Sequence, residues 1–336
     1  MINLGIFCKS WYDQQRKGIS IKPNNKERKL GTLNLHAAIA NYGHTTTLKD
    51  GTFTSDEFEL SHTEISPVPM IFRRMVRNLE FDIAEMALAT YICSKHYRKG
   101  FTALPVFLTR AFYHGGIMCN VNSNIKEPKD LNGKRIGTRS YTLTPGIWTK
   151  AILQTEHGVD LDSITWVLSG DEHVAEYQTP PGVISSEKND LGEMLLSGEV
   201  DAVIGAGPIE SPNAVPLFEN PDDLDANWYR KTNIYPISHL LVVKDDLLIE
   251  KPWLEKEIYD LFKTAKDSYI ESLPSLDQPD SNDLQTRQLG EVVGGDPLPY
   301  DLNEAYQGID TFIKFNVDQK IIPEYVNPES LFTMPK

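Results

Sequence analysis

Cysteine is scarce in this chain of 336 residues, which contains only Cys8, Cys93 and Cys119. The three lie far apart, without a CxxC pair and without the spacing of a metal-binding set. An odd and sparse count is typical of reduced thiols rather than of a disulfide framework. We therefore predict no disulfide scaffold and no metal site. A nucleophilic cysteine remains the alternative for any one of the three.

Long apolar runs and a secretory leader are also missing from the sequence. No apolar stretch approaches the ~20 residues that a membrane-spanning helix needs. The first residues, MINLGIFCKSWYDQQRKG, have no basic n-region and no small-residue cleavage site. Ile6 and Phe7 stand before Cys8, where a lipoprotein signal requires small residues. These features predict a cytoplasmic location and no membrane partner.

Positive charge is in the minority, since 33 Lys and Arg stand against 47 Asp and Glu, for a formal net charge of −14. A nucleic-acid surface needs clustered Lys and Arg to contact phosphates, so we exclude this class of partner. A small anionic ligand remains compatible with the composition, because a cleft can be locally positive on an acidic protein.

The chain is longer than one hydrophobic core usually organises, which favours two lobes. Strand patterns, for example at residues 33–40 and 81–86, alternate with helical patterns in a way that is typical of α/β proteins with parallel or mixed sheets. The apolar run at 234–243 is a candidate segment for crossing between the lobes. Residues 1–31 are polar and form a predicted N-terminal extension, a candidate for contacts in a homo-oligomer.

Several motifs resemble those of a known fold and of one family within it. DLNGKRIG (residues 130–137) and LLSGEVDAVI (195–204) resemble signatures of type II periplasmic solute-binding proteins. More narrowly, four segments resemble 4,5-dihydroxyphthalate decarboxylases, which are enzymes on that fold: EFDIAEMALATY (80–91), PVFLTRAFYHGGI (105–117), TLTPGIW (142–148) and WYRKTNIYPISHLLVVKDDLL (228–248). The resemblance covers roughly residues 32–270 and keeps the family's order.

The resemblance implies an α/β protein of two-lobed, type II periplasmic-binding-protein architecture, with each lobe a mixed sheet flanked by helices. Lobe one is expected to comprise residues 32–115 and 237–336, and lobe two is expected to be inserted as residues 116–236. The chain would cross between the lobes near residues 115–116 and 235–239.

The sequence departs from the family pattern at two loops. It has Tyr42, Gly43, His44 and Thr45 where relatives usually carry Tyr-Asp-Arg-Thr, and the loop at 205–208 lacks an Arg that we expect in relatives. This chain therefore has two guanidinium groups fewer than relatives at the expected anion site, and the exact substrate is left open.

Arg110 and His114 stand four positions apart, immediately before the first predicted crossing. An Arg can grip a carboxylate with two parallel hydrogen bonds, and a His can deliver a proton at neutral pH. His239 lies in the second crossing and is expected to face His114 across the cleft floor. The alternatives are a surface Arg and two packed histidines.

Glu85 ends a short buried strand, where ligands of α/β sheets bind, and is a candidate general acid with a pKa raised by burial. It could instead cap a helix or pair with an Arg. Tyr141, Thr142 and Thr144, with the free amides after Pro145, form a candidate carboxylate cradle or an ordinary helix cap.

Tyr42 and His44 follow the first predicted strand and are candidates for contact with a ring hydroxyl. Asp171, Glu172, His173 and Glu176 resemble a metal cluster but are predicted to form a solvated loop. We assign no role to His173.

The resemblance implies a cofactor-independent decarboxylase of a hydroxylated aromatic carboxylic acid, such as 4,5-dihydroxyphthalate, acting in the cleft between the lobes. GxGxxG and GxxxxGK[ST] are absent, so no organic cofactor is expected. Arg110 and the Thr142–Thr144 cradle would hold the carboxylate that stays. His114 or His239 would supply the proton, and the other histidine, or His44, would polarise the phenol. A non-catalytic solute-binding protein and a biosynthetic enzyme on the same fold are the alternatives.

Overall fold

In a computed structural model, which describes residues 19–21 and 32–333, most strands belong to two sheets. The first sheet has five strands in the order β4-β2-β5-β13-β6. Strand β13 runs antiparallel to both of its neighbours, whereas β2, β4 and β5 are parallel. The five strands of this first sheet are β2 (Leu33–Ala38), β4 (Phe58–His62), β5 (Ile83–Ala87), β6 (Phe101–Arg110) and β13 (Ile237–Lys244).

The second sheet has six strands in the order β10-β9-β8-β11-β7-β12. Strands β8 to β11 are parallel, and β7 runs antiparallel to both β11 and β12. The strands are β7 (Ile117–Asn120), β8 (Arg135–Thr138), β9 (Thr165–Leu168), β10 (Val183–Ser185), β11 (Ala202–Ile204) and β12 (Ala214–Pro216).

The chain therefore leaves the first sheet after β6, builds the second sheet, and returns to the first sheet with β13. The lobe limits of 32–115 with 237–336, and 116–236, stay a prediction. Of the predicted extension 1–31, the structure describes only β1 (Ile19–Ile21), which pairs antiparallel with β3 (Phe53–Ser55).

Helices connect and cover the strands. In chain order they are α1 (Gly43–Lys49), α2 (Pro69–Asn78), α3 (Leu88–His96), α4 (Thr144–His157), α5 (Leu191–Leu196), α6 (Pro221–Thr232), α7 (Asp245–Glu250), α8 (Leu254–Ser272), α9 (Ser281–Val293) and α10 (Leu302–Asp318). No helix in the described part of the chain is long and apolar enough to cross a membrane.

Local sequence explains the two elements that carry most of the site. Strand β5 is buried at all five positions, because sheet neighbours and helices cover both of its faces, and it reads as the apolar run IAEMA interrupted by Glu85. Helix α2 begins at Pro69, where the missing N–H costs nothing. It buries Ile71, Phe72, Met75 and Val76 on one side. The two elements lie side by side, which brings Phe72 to the site described next.

Candidate active site

Glu85 is the centre of a buried hydrogen-bonded cluster at the end of the first sheet. Its side chain is fully buried. Oε1 accepts a hydrogen bond from the Tyr42 hydroxyl at 2.6 Å and lies 2.6 Å from Nδ1 of His239. Oε2 accepts the backbone N–H of Ala40 at 2.8 Å. Three of the predicted site residues, Tyr42, Glu85 and His239, are therefore brought together.

Sheet topology explains why these residues meet. Tyr42 follows β2 and stands immediately before α1, and its backbone N–H is held by the Thr45 hydroxyl at 2.9 Å. His239 lies near the start of β13, opposite Ala87 at the end of β5. Since β13 is antiparallel to β5, its first residues reach the carboxyl end of the parallel strands. This is the edge at which open α/β sheets bind ligands.

The electrostatics of Glu85 differ from the prediction. Burial raises its pKa, but the hydrogen bond and charge of His239, with the hydrogen bonds of Tyr42 and Ala40, outweigh burial and hold the pKa below its usual range. Burial and the charge of Glu85 raise the pKa of Tyr42. The expected rise in the pKa of Glu85 is therefore not found, because three donors stabilise its ionised form.

His239 is the member of this cluster that can exchange protons with a ligand. Its Nδ1 is engaged by Glu85, and among the described residues Nε2 has no hydrogen-bond partner. The side chain is 23% exposed, and its ring meets the edge of Phe72 with centroids 5.0 Å apart. A carboxylate on Nδ1 fixes the tautomer and stabilises the imidazolium, which leaves Nε2 to give or take a proton.

His44 packs against the Tyr42 side of this cluster. Its ring stacks on Tyr42 at 5.3 Å with an interplanar angle of 2°, and it also contacts Tyr269. The ring is buried, and burial, with the charge of Lys266, lowers its pKa to about 4 against the opposing charge of Glu85. We predicted contact with a substrate hydroxyl, but the buried Nε2 faces no open space. Gly43 is needed beside it, because a Cβ there would stand 2.1 Å from the Tyr269 ring.

His114 forms a separate histidine–carboxylate pair. Its Nδ1 lies 2.5 Å from Oδ1 of Asp225 on α6, and its ring packs against Phe218 and Trp228. Among the described residues it shares no hydrogen-bond partner and no ring contact with His239. That the two histidines share the chemistry stays a prediction, and in this structure the Nδ1 of His114 is paired with Asp225 rather than with a group of the Glu85 cluster.

Arg110 does not form the predicted carboxylate clamp. Nη1 donates to the carbonyl of Tyr235 at 2.8 Å and Nη2 to the carbonyl of Pro299 at 3.2 Å. The guanidinium also lies over the rings of Phe107 and Tyr235. Both prongs of the fork are thus used by the chain itself, and the residue joins β6 to the C-terminal segment.

The predicted cradle at 141–144 exists, but its occupant is part of the protein. The backbone N–H groups of Tyr141 and Thr142 and the Thr142 hydroxyl all donate to the carboxylate of Glu172. The Thr144 hydroxyl accepts the backbone N–H of Ala89 at 3.0 Å. The expectation of a substrate carboxylate in this cradle is corrected accordingly. Thr144 instead ties α4 to α3, and so joins the two halves of the structure.

The loop at 171–176 is not the solvated loop that we predicted. Asp171 accepts hydrogen bonds from Arg73 and Arg77 on α2. His173, assigned no role, is buried between Thr90 (Nδ1 to Oγ1, 3.0 Å) and Arg139 (Nε2 to Nη2, 2.7 Å). Sequence reasoning missed Arg139, although it directly follows β8 and thus stands at the carboxyl end of a parallel strand, the rule that selected Glu85.

Cysteine and metal chemistry find little support in the described part of the chain. Cys93 and Cys119 are both buried, and burial raises the pKa of each thiol to about 12. A reactive cysteine needs a lowered pKa, so neither is a nucleophile. Cys8 lies outside the described residues. Among the residues described, no group of three or more His, Cys, Asp or Glu side chains could hold a metal ion.

The chain is similar to two curated enzymes, and no family model matches it. It is 29% identical to the 4,5-dihydroxyphthalate decarboxylase of Comamonas testosteroni over 322 residues, 90% of this chain and 97% of the relative. It is 32% identical to the 4,5-dihydroxyphthalate decarboxylase of Pseudomonas putida over 215 residues, 60% of this chain and 83% of the relative.

Solved structures with the same fold include binding proteins and an enzyme. The periplasmic aliphatic sulphonate-binding protein SsuA of Escherichia coli gives a TM-score of 0.51 at 13% identity, covering 90% of this chain and 98% of SsuA. The desulfurization enzyme DSZB, in a mutant complex with biphenyl-2-sulfinic acid, gives a TM-score of 0.52 at 17% identity, covering 90% and 96%. These likenesses confirm the predicted two-lobed fold class.

Proposed function

Because this chain belongs to the family of 4,5-dihydroxyphthalate decarboxylases, we propose that it is a carboxy-lyase that removes CO2 from a hydroxylated aromatic carboxylic acid such as 4,5-dihydroxyphthalate. One observation carries this proposal. At the ligand-binding edge of the first sheet, a buried carboxylate holds Nδ1 of a histidine whose Nε2 has no partner among the described residues. This pair is the acid–base device that such a reaction requires.

The reaction needs a proton at the ring carbon that bears the departing carboxylate. A hydroxyl para to that carbon gives its proton to water and takes one back after CO2 has left. The electron density that it supplies lets the imidazolium of His239 give the proton from Nε2 to the ring carbon. The bond between the ring and the carboxylate then breaks, and its electron pair restores the aromatic ring as CO2 leaves. The net change is the exchange of a carboxylate for a proton, and water reprotonates the imidazole.

Glu85 and Tyr42 have positioning roles in this scheme. Glu85 stabilises the imidazolium that precedes proton transfer, and Tyr42 and the Ala40 amide keep its carboxylate ionised and oriented. A positioned acid of this kind contributes roughly 10²–10⁴-fold to the rate.

Contacts between the two halves of the structure support a water-poor site. Arg73 and Arg77 on α2 bind Asp171 after β9, and Ala89 on α3 binds Thr144 on α4. Closing the halves over a ligand expels water and strengthens the hydrogen bonds inside. The same closure would serve a solute-binding protein, so activity has to be tested directly.

The test is to incubate the purified protein with 4,5-dihydroxyphthalate and to measure CO2 and 3,4-dihydroxybenzoate together. Both are expected in equal amounts. Phthalate, which lacks the hydroxyl groups, should bind without releasing CO2. Binding of hydroxylated acids without CO2 from any of them would replace this proposal with the non-catalytic binding protein.

A further inference from the structure

Arg139 is a charged group at the carboxyl end of β8 that has no counterion within ion-pair distance among the described residues. It follows β8 directly and is half-buried. Nη2 faces Nε2 of His173 at 2.7 Å and lies 3.4 Å from the Ser140 hydroxyl. Nε is buried without a hydrogen-bond partner, and Nη1 makes none with the described residues. No described carboxylate lies within ion-pair distance, so donors on Nε and Nη1 remain for an anion.

The neighbouring carboxylates are already engaged. Asp171 binds both Arg73 and Arg77. Glu172 is held by the amides of Tyr141 and Thr142, as described above. Burial and the charge of Arg73 lower the pKa of Arg139 against the opposing charges of Glu172 and Asp171, so these two carboxylates compensate the guanidinium only in part and leave a deficit of negative charge. A bound anion would relieve this deficit.

His173 orients Arg139 without neutralising it. An Arg has no acceptor, so Nε2 of His173 must accept, and its Nδ1–H must donate to the Thr90 hydroxyl. Burial, with the charges of Arg139 and Arg73, lowers the pKa of His173 to about 3. The imidazole is therefore neutral at working pH, and it fixes the guanidinium in one direction.

Phe72 connects this group to the acid–base pair. Its ring meets His239 with centroids 5.0 Å apart and His173 with centroids 5.7 Å apart, both edge-on. His239 and His173, the hydrogen-bond partner of Arg139, therefore contact the same aromatic ring. Gly170 lies beside it, and a Cβ at that position would stand 3.6 Å from Nη1. The absence of a side chain there keeps this side of the guanidinium uncrowded.

We propose that Arg139 binds the carboxylate that remains on the aromatic ring, taking the role first expected of Arg110. This inference rests on the proposed function. The retained carboxylate is the one that suits an Arg, because an ion pair to the departing group would stabilise its charge and oppose its loss as neutral CO2. Arg139 also selects for aromatic acids with a second carboxylate, such as phthalates, over benzoates with one.

The experiment measures phthalate binding by calorimetry in wild type, Arg139→Met and Arg139→Lys. Arg135→Met is the matched control, since Arg135 lies on the same strand but is exposed. Losing the charge should weaken binding roughly 30- to 1,000-fold. Arg139→Lys should recover only part of it, because an ammonium lacks the planar fork. Arg135→Met should bind as wild type does.

Phthalate bound equally well by a folded Arg139→Met, or not bound by wild type, would overturn the inference. If Arg139→Met does not fold, Arg139→Lys decides, and an unchanged affinity there overturns it as well. Phthalate is not turned over, so this result is independent of catalysis. If Arg139→Met loses phthalate binding but the wild type releases no CO2 from hydroxylated acids, the proposed function is rejected and the anion site at Arg139 stands. If the protein releases CO2 but binds phthalate equally well without Arg139, the proposed function stands and the anion site at Arg139 is rejected.

Discussion

Nδ1 of His239 lies 2.6 Å from the same Glu85 oxygen that accepts the Tyr42 hydroxyl at 2.6 Å. One ionised carboxylate therefore serves two donors from different segments. These two contacts fix the position of the carboxylate between Tyr42 and His239.

Glu85→Gln is expected to lower kcat roughly 10²-fold or more, because the amide keeps the hydrogen-bonding shape but removes the charge that stabilises the imidazolium. Binding of phthalate should change little, since the Glu85 side chain is fully buried. Steady-state CO2 release and calorimetry on the same preparation check both parts. A kcat within a few-fold of wild type would show that Glu85 has only a packing role.

The two histidine–carboxylate pairs provide a matched comparison. His239→Asn should lower kcat at least ~10²-fold, because Asn keeps hydrogen bonds but exchanges no proton in this pH range. His114→Asn removes an equivalent pair with Asp225 and should lower the melting temperature while leaving kcat near that of wild type. Equal losses of kcat in both variants at preserved melting temperatures would support the hypothesis that the two histidines share the chemistry.

The fold could be predicted further than the site. The signature segments predicted the two-lobed fold class, and the strand predicted at 81–86 is observed at Ile83–Ala87. Tyr42, Glu85 and His239 could each be selected from local sequence. Glu85 and His239 come together only because β5 pairs with β13. This pairing brings residues 154 positions apart into contact, and no local pattern encodes it.

Arg110 illustrates why a chemically sensible assignment can fail. The side chain type fits a carboxylate clamp, but the carbonyls that occupy it come from Tyr235 and Pro299, which lie 125 and 189 positions away. Nε lacks a hydrogen-bond partner in both arginines, but Arg139 uses only Nη2 in hydrogen bonds to described residues, whereas Arg110 uses both terminal nitrogens. Sequence reports which donors exist, whereas only the folded chain shows which of them remain free.

Arg110→Ala is therefore expected to affect stability rather than binding. It removes the guanidinium and leaves the Tyr235 and Pro299 carbonyls without its hydrogen bonds. The free energy of unfolding should fall by about 2–4 kcal/mol. Urea denaturation measures this loss, and the exposed Arg230→Ala on α6 is the control. The Kd for phthalate should stay unchanged in both. Preserved stability with lost binding would return Arg110 to the ligand site.

Because of Lys150 on α4, the free energy of unfolding is expected to change with pH above neutrality. Its Nζ is buried, donates to the Tyr141 carbonyl at 3.2 Å and lies 3.5 Å from the centroid of the Tyr141 ring. Burial lowers its pKa to about 7 despite the nearby charge of Glu172. Between pH 7 and the ordinary lysine value, the unfolded chain binds a proton that the folded chain does not.

The free energy of unfolding should therefore rise with pH across this window, by at most about 1.4 kcal/mol per pH unit. Lys150→Met keeps most of the unbranched apolar stem but has nothing to titrate, so its own curve should lack this rise. Urea unfolding of both proteins at pH 7, 8 and 9 gives the difference, in which all other titrating groups cancel. The wild type should gain on the variant at each step. Parallel curves would mean that the ammonium is as well stabilised in the folded protein as in water.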